Sequence, residues 1–156
     1  AAEGKTYQAT KGELLVERMV KEFQRPGRAG GGGFYDYPSD GPKRLWSGLK
    51  PHFEKPFTGD PLAAQEAIKQ RLLYRQAIET ARCLQENVLT SSHDANIGSI
   101  FGIGFPAWTG GALQFVYSEG LDRFVGHCEC LAELHGAGFA LSDAVVEKLR
   151  GYQPAN

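Results

Sequence analysis

Hydrophobic residues recur every three or four positions along most of the chain, which is the spacing of one buried face of an α-helix. The first such segment carries apolar residues at Leu15, Met19 and Phe23. It follows the quartet Thr-Lys-Gly-Glu that begins at Thr10, in which the Thr and Glu side chains fit a capping box. The pattern predicts a helix over about residues 10–24, before Pro26 and a glycine-rich run prevent its continuation.

The longest periodic segment predicts a helix over about residues 61–87. It begins at Asp60-Pro61, an N-cap acceptor followed by a proline at the first helical position, where no amide hydrogen is needed. One stripe of apolar residues then follows, with two more beside it: Leu73, Ala77, Ala81, Leu84 and Val88, flanked by Ile68 and Leu72. This helix is expected to be the longest of the chain.

Shorter helices are predicted after it. Ser91 to Asp94 fits a second capping box, and the helix that it starts must end or bend at the glycines from Gly102 onward. Thr109 is a candidate N-cap for the next helix, which extends to about Ser118. Two further helices are predicted over residues 121–135, ended by glycines, and over residues 143–150, capped by Ser142.

Two stretches lack this helical spacing. Residues 34–38, Phe-Tyr-Asp-Tyr-Pro, indicate a short extended aromatic segment. Residues 39–59 are rich in Gly and Pro and predict a linker anchored by Leu45, Trp46 and Leu49. Since no convincing strands with alternating polarity accompany the helices, the predicted fold class is all-α.

Composition excludes several partners. The 17 Lys and Arg residues balance 18 Asp and Glu, and a net charge of -1 gives no strong field to hold nucleic acid or an anionic membrane. No apolar run approaches the length that a membrane span needs. Three cysteines, Cys83, Cys128 and Cys130, cannot all pair and favour a reducing compartment. The opening residues show no targeting signal, so we expect a chain cut from something longer.

The glycine-rich stretch has two interpretations. Residues 102–107 match the dinucleotide-binding pattern G-x-G-x-x-[GA], with Asp122 near the position of a ribose-binding acid. However, a capped helix precedes the stretch in place of a strand, and Pro106 removes an amide that a phosphate would need. We therefore favour a close crossing of two helices, with Phe101, Phe105 and Trp108 filling the space around the bend.

Other reactive residues also have ordinary structural explanations. His127, Cys128, Cys130 and His135 suggest zinc, but on a helix these four side chains point in different directions. His93-Asp94 fits a helix cap better than an acid–base pair, and Tyr35-Asp36-Tyr37 fits an aromatic plug better than a catalytic acid. From its residues alone, the chain has no credible catalytic, cofactor-binding or metal-binding set.

Two longer motifs resemble a known family. Residues 93–111, "HDANIGSIFGIGFPAWTGG", resemble the signature of the C-terminal half of the multifunctional fatty-acid oxidation α-subunit, a bacterial-type enzyme that joins enoyl-CoA hydratase and L-3-hydroxyacyl-CoA dehydrogenase. Residues 27–38, "GRAGGGGFYDYP", resemble the segment that closes the first helical dehydrogenase domain of that family. Together the motifs cover nearly the whole chain.

The resemblance implies a fold, a domain division and candidate contacts. The fold would be a helical bundle like the C-terminal domain of 6-phosphogluconate dehydrogenase, present in two copies. Residues 1–37 would be the tail of the first copy, 38–59 a linker, and 60–152 a degenerate second copy. By position in the motifs, the implied contacts with substrate or with other domains are Gln70, Gly104, Phe105, Pro106 and Trp108. Gln70 replaces an Asn of the family, and Gly32 replaces a Lys.

The resemblance also implies a function. The chain would contribute to the acyl-CoA cleft and to interdomain or subunit contacts of an NAD-dependent dehydrogenase of fatty-acid β-oxidation. The Rossmann domain that holds NAD, its His/Glu dyad and the hydratase carboxylates are all missing from this sequence, so we expect the chain alone to be inactive. Its implied partners are the NAD-binding and hydratase domains, acyl-CoA and a thiolase subunit. The implied location is the bacterial cytoplasm, or an organelle matrix in a eukaryote. The alternative is a free-standing helical module that binds acyl-CoA or a protein without catalysis.

Overall fold

The computed structural model describes residues 9–152, and most of that range is helical. It contains the α-helices α1 Lys11–Lys21, α2 Leu49–Phe53, α3 Pro61–Gln85, α4 Ser92–Ile103, α5 Ala112–Glu119, α6 Leu121–His135 and α7 Asp143–Arg150. Short 3₁₀ helices lie at Arg28–Gly30, Ala107–Thr109 and Ala137–Phe139, and two strands, β1 Tyr35–Asp36 and β2 Arg44–Leu45, form an antiparallel pair. The predicted all-α class is confirmed. The finer likeness to the 6-phosphogluconate dehydrogenase domain stays a prediction.

The chain divides into two compact units between residues 58 and 59. Unit 1 is described here over residues 9–58 and unit 2 over residues 59–152. The predicted division into 1–37, 38–59 and 60–152 rests on family copies and not on compactness, so it stays a prediction. Residues 1–8 of its first segment lie outside the described range.

Helix α1 begins as predicted. The Thr10 hydroxyl accepts a hydrogen bond from the Glu13 amide at 3.3 Å, and the Glu13 carboxylate accepts one from the Thr10 amide at 2.7 Å, which completes the capping box. The helix ends at Lys21 and not at Gln24, because Gln24 adopts a left-handed φ of 54°. The Arg25 amide then turns back to the Met19 carbonyl at 2.9 Å.

The predicted linker contains more structure than expected. It holds β2 and α2, and the Trp46 amide donates to the Phe34 carbonyl at 3.0 Å. The ring of Phe23 packs against Trp46, with 5.3 Å between centroids, and against the rings of α2. Leu45 is largely exposed, so its predicted anchoring role is wrong, whereas Trp46 is half-buried. A strand of two residues is too short to show alternation in the sequence.

The core of unit 2 is built around α3. The Asp60 side chain accepts from the Leu62 amide at 3.0 Å, with Pro61 at the first position, which confirms the predicted start. The predicted stripe is buried at Leu73, Ala77, Ala81 and Leu84, but Val88 lies beyond the helix end and is exposed. Tyr74 and Ile78 of α3 are buried in the same core. Its remaining large buried side chains come from later elements: Phe105, Leu113, Phe115, Val116, Phe124, Cys128, Phe139, Val145 and Leu149.

Helices α6 and α7 complete the bundle. Helix α6 ends where Gly136 takes a φ of 98°, and α7 starts where the Ser142 hydroxyl accepts from the Val145 amide at 3.4 Å. Both predictions are confirmed. Two arginines of α3 hold the loop between these helices: Arg75 donates to the Gly138 carbonyl, and Arg82 to the Ala140 carbonyl at 2.8 Å.

Because the Cys128 thiol is buried, the free energy of unfolding is expected to depend on pH in the alkaline range. Burial raises the pKa of its thiol from 9.0 to about 12. In the unfolded chain the thiol loses its proton near its ordinary pKa, whereas the folded chain keeps it, so unfolding releases a proton in this window. The free energy of unfolding should therefore fall as pH rises from 9, and Cys128→Ala should flatten that slope between pH 8.5 and 10. Urea titrations at several pH values measure it.

The exposed cysteine of the same helix provides the control. Cys130→Ala should keep the wild-type slope. Equal slopes for Cys128→Ala and the wild type would contradict the assignment.

Candidate functional site

Helix α4 and the turn after it carry the longer family motif, and α4 has polar residues on its inner side. Asn96 is only 9% exposed and Ser99 is also buried. A polar side chain in a core is costly unless it is hydrogen-bonded, so these two positions need partners. All of the buried side-chain nitrogen and oxygen atoms within residues 9–152 have such partners.

Those partners are the first amides of α5. The Asn96 Oδ1 atom accepts from the backbone amides of Leu113 at 3.0 Å and Gln114 at 2.9 Å. The Ser99 hydroxyl accepts from the Ala112 amide at 3.0 Å and donates to the Asn96 carbonyl at 2.8 Å. A helix start leaves its first amides without intrahelical partners, so α4 caps α5 from outside that helix.

The predicted cap at Thr109 is wrong. Helix α5 begins at Ala112, after Gly111, and not beside Thr109. The Thr109 hydroxyl instead donates to the Pro106 carbonyl at 2.7 Å and accepts from the Gly111 amide at 3.2 Å, which closes the intervening 3₁₀ helix. The positive φ angles of Gly110 (80°) and Gly111 (111°) redirect the chain before α5 can start.

The close backbone approach that the motif predicted occurs at Gly111. A Cβ atom there would lie 2.5 Å from Cα and 2.8 Å from the carbonyl oxygen of Asn96, which is too close for any side chain. At Gly104 nothing lies within 4 Å of such an atom, and the glycine is explained by its left-handed φ of 71° at the end of α4. The steric explanation is therefore wrong for Gly104 and correct for Gly111.

The outer side of the motif is apolar. Ile97 and Phe101 are one helical turn apart on α4, and the space above Gly98 is open. Phe101 is 84% exposed and Trp108, in the turn that follows, is 79% exposed, so the prediction that they fill the bend is wrong. We call Ile97, Phe101, Ile103 and Trp108 the junction surface. Helix α4 thus buries Asn96 and Ser99 and exposes Ile97, Phe101 and Ile103, whereas an ordinary surface helix would bury the apolar residues.

The predicted contact residues occupy different environments. Gly104, Phe105, Pro106 and Trp108 lie in one turn, where Phe105 is 2% exposed and packs edge-on to Phe115 within the core. Of Phe105 and Trp108, only Trp108 is exposed and can contact a partner. Gln70 lies on α3, half-buried, and donates to Glu66 one turn earlier at 3.0 Å.

A polar cluster that the sequence did not reveal lies four residues further along α3. The buried Tyr74 hydroxyl donates to the Glu119 carboxylate at 3.1 Å and lies 2.7 Å from Nδ1 of His127. Since the hydroxyl has one proton, this arrangement requires His127 to donate through Nδ1–H, with Nε2 directed away from Tyr74. The members are separated by 45 and 53 positions, so no local motif could have shown the cluster.

The cluster joins three helices, and the Tyr74 phenol within it is not a base at neutral pH. Burial, followed by the nearby Glu119 charge, raises the pKa of Tyr74 well above its ordinary value, so the phenol stays protonated at neutral pH. Its ring stacks on Phe124 at 4.9 Å and meets Phe115 edge-on at 5.4 Å. The Tyr74 hydroxyl therefore ties α3 to the end of α5, where it donates to Glu119, and to α6, where it accepts from His127.

The cysteine and histidine residues of α6 are not brought together. Cys128 is buried, Cys130 is exposed, and His127 is bound to Tyr74. Within residues 9–152, no group of three or more His, Cys, Asp or Glu side chains could hold a metal ion. The same residues include no helix with the length and apolar character to cross a bilayer.

No family model matches the chain. Individual proteins nevertheless resemble the chain in sequence. The chain is 35% identical over 130 residues to the fatty acid oxidation complex subunit alpha of Shewanella loihica, an alignment that covers 79% of this chain and 17% of that protein. The subunit of the same name from Pseudomonas paraeruginosa is 33% identical over 81% of the chain, and that of Shewanella frigidimarina is 32% identical over 79%.

The chain is homologous to a C-terminal part of the fatty acid oxidation complex α-subunit. This confirms the resemblance that the two motifs indicated. The match spans only 17–18% of the α-subunits' own length, so most of each relative has no counterpart in the chain.

The cap in α4 can be tested by truncation. Asn96→Ala removes the acceptor of two α5 amides and leaves them buried without partners, so the free energy of unfolding should fall by about 2–3 kcal/mol. Thr109→Ala, the cap that the sequence suggested, should cost less than about 1 kcal/mol. Urea unfolding followed by circular dichroism compares the two. Equal losses would contradict the assignment of the cap to Asn96.

The two glycines of the motif should differ in the same assay. Gly104→Ala introduces only the strain of a left-handed residue, about 1–2 kcal/mol. Gly111→Ala adds a collision with the Asn96 backbone to an unfavourable φ and should cost about 3 kcal/mol or more. A Gly111→Ala protein as stable as Gly104→Ala would show that the two helices can move apart at no cost.

Proposed function

We propose that the chain is the C-terminal helical portion of an NAD-dependent L-3-hydroxyacyl-CoA dehydrogenase of fatty-acid β-oxidation, acting in a bacterial cytoplasm. In this proposal it completes the helical half that borders the acyl-CoA cleft, and it contacts the other domains of the α-subunit. The observation that carries the proposal is the junction surface, which is apolar and exposed within the motif that identifies the family. Homology to only a small part of the α-subunit supports it.

Burial of the junction surface against a partner would contribute substantially to the free energy of binding. A buried aromatic side chain removes about 150–250 Å² from water, and each Å² of apolar surface contributes about 25 cal/mol. Phe101 and Trp108 are exposed at 84% and 79%, so burial against a partner would contribute up to roughly 4 kcal/mol each. Exposed aromatic side chains next to open glycine positions favour a flat, close-packed contact.

Each predicted contact residue has a place in this function. Trp108 contacts the neighbouring domain directly, whereas Phe105 acts from the core by fixing the turn that presents it. Gly104 and Pro106 set the direction of that turn, and Gln70 faces the acyl-CoA cleft from α3. NAD and the catalytic His/Glu pair belong to another domain of the enzyme, and a thiolase subunit is a further partner of the assembly.

Reconstitution tests the proposal. An α-subunit of Shewanella loihica truncated to remove its homologous portion should recover dehydrogenase activity, measured as NADH oxidation with acetoacetyl-CoA, when this chain is added. The chain alone should be inactive. Phe101→Ser combined with Trp108→Ser should raise the concentration for half-maximal recovery at least about tenfold, because the apolar contact is lost.

Val88→Ser provides the matched control, because Val88 is exposed in unit 2 but lies outside the motif. It should leave recovery unchanged, and melting temperatures verify that each variant is folded. Activity of the chain alone would contradict the proposal. Failure of a folded chain to bind or activate the truncated subunit would favour the free-standing interaction module.

A further inference from the structure

The junction surface carries both a protruding ring and a hollow. Phe101 is 84% exposed on α4, and Gly98 and Gly102 are exposed positions of the same helix that have no side chain. Nothing lies within 4 Å of the position that a Cβ atom would take at either glycine. Gly98 is three residues from Phe101 and four from Gly102, so it borders both on the helix surface. The Phe101 ring therefore stands beside a shallow hollow formed by the two glycines.

This combination is what a two-fold contact between identical chains requires. In such a contact each surface meets its own copy, so one patch must supply both the protruding group and the hollow. With Phe101 of one copy over Gly98 and Gly102 of the other, both rings are covered at once and the two α4 backbones lie close together. A different partner would need only one of the two features on this chain, because it would supply the complementary shape itself.

The charge pattern around the junction surface also favours a second copy. Residues 95–118 include no Lys, Arg, Asp, Glu or His, although 22% of the whole chain is Lys, Arg, Asp or Glu. A two-fold contact brings equal charges towards each other near its axis, and their repulsion opposes association. An uncharged interface core that is rich in aromatic side chains is free of this repulsion.

The area of the junction surface suits a reversible dimer. An aromatic side chain buries about 150–250 Å², and an aliphatic one roughly half as much. At the exposures of Phe101 (84%), Trp108 (79%), Ile103 (58%) and Ile97 (44%), these side chains would bury about 400 Å² in each copy. Two copies would bury about 800 Å² in this way, and the glycines between the side chains bring the total towards the roughly 1,000 Å² that a specific, weak interface needs.

We propose that two copies of the free chain associate through the junction surface as a reversible, two-fold symmetric dimer. Phe101 of each copy lies over Gly98 and Gly102 of the other, and Trp108 lies at the edge of the contact. The proposed function assigns the same surface to the neighbouring domains of the α-subunit, so a chain that is bound there cannot also be dimeric. Self-association therefore competes with assembly of the enzyme. The choice of a second copy rests on the shape, charge and area of the surface and not on the dehydrogenase activity.

Sedimentation velocity at chain concentrations from about 1 to about 500 µM tests the dimer. The chain has a monomer mass of 17.0 kDa, and a species of twice that mass should increase with concentration. Phe101→Ser should raise the dissociation constant of the dimer at least about tenfold, because apolar contact is lost twice, once in each copy. Gly98→Gln should raise it by a similar factor, because the new side chain fills the hollow.

The open space around Gly98 keeps the second variant informative, since Gln fits there without a collision inside the monomer and forms helix more readily than Gly. Its melting temperature should therefore equal or exceed that of the wild type at concentrations where both are monomeric. Leu134→Ser is the matched control, because Leu134 is 75% exposed on α6 and lies outside the junction surface. It should dimerise like the wild type.

Three results would overturn the dimer. The first is a wild-type chain that stays monomeric up to about 500 µM. The second is a folded Gly98→Gln chain that dimerises like the wild type, or a Leu134→Ser chain that is weakened as much as Phe101→Ser. The third is growth beyond a dimer, because a two-fold contact is complete with two copies.

The outcome is separable from reconstitution of the dehydrogenase. A dimer that dissociates when the truncated α-subunit is added would support both proposals. Dimerisation without reconstitution would keep the two-fold contact and reject the dehydrogenase assignment. Reconstitution by a chain that stays monomeric would reject the dimer alone.

Discussion

A buried side-chain oxygen, Oδ1 of Asn96, accepts hydrogen bonds from two backbone amides at the start of α5. Helix α5 packs against α3, α4 and α6, so the position of its first turn sets the geometry of much of unit 2. Gly111 is part of the same constraint, because only a residue without a side chain allows the α5 start to approach Asn96 so closely. Hydrogen bonds between two helices thus replace the cap that the residue before a helix normally supplies.

This constraint explains why α4 exposes apolar residues. Two of its inner positions are occupied by Asn96 and Ser99, which cap α5, and Ile97, Phe101 and Ile103 lie exposed on the outer side. Stability within the chain and contact with a partner therefore use opposite sides of one short helix. The aromatic core around Tyr74 does not depend on the junction surface, so the surface can be altered without removing core packing.

Local signals in the sequence were sufficient for most of the helices. Thr10, Asp60, Ser91 and Ser142 cap the helices that follow them, because an N-cap bonds to amides within three residues of itself. Contacts between distant residues were not predictable in this way. Thr109 resembles a cap in the sequence, whereas the true acceptor, Asn96, belongs to another helix. The Tyr74 cluster likewise joins three helices. Residues 39–59 contain a strand and a helix that are too short to show a repeating pattern of hydrophobic positions in the sequence.

The chain has two tryptophans, and each compact unit contains one. Trp46 lies beneath a guanidinium and among the rings of unit 1, whereas Trp108 is exposed to water on the junction surface. Indole emission shifts to longer wavelength with contact with water, so the two residues give spectroscopically distinct signals. The intrinsic fluorescence of the unlabelled protein consequently contains separate reporters of the aromatic cluster in unit 1 and of whatever covers the junction surface.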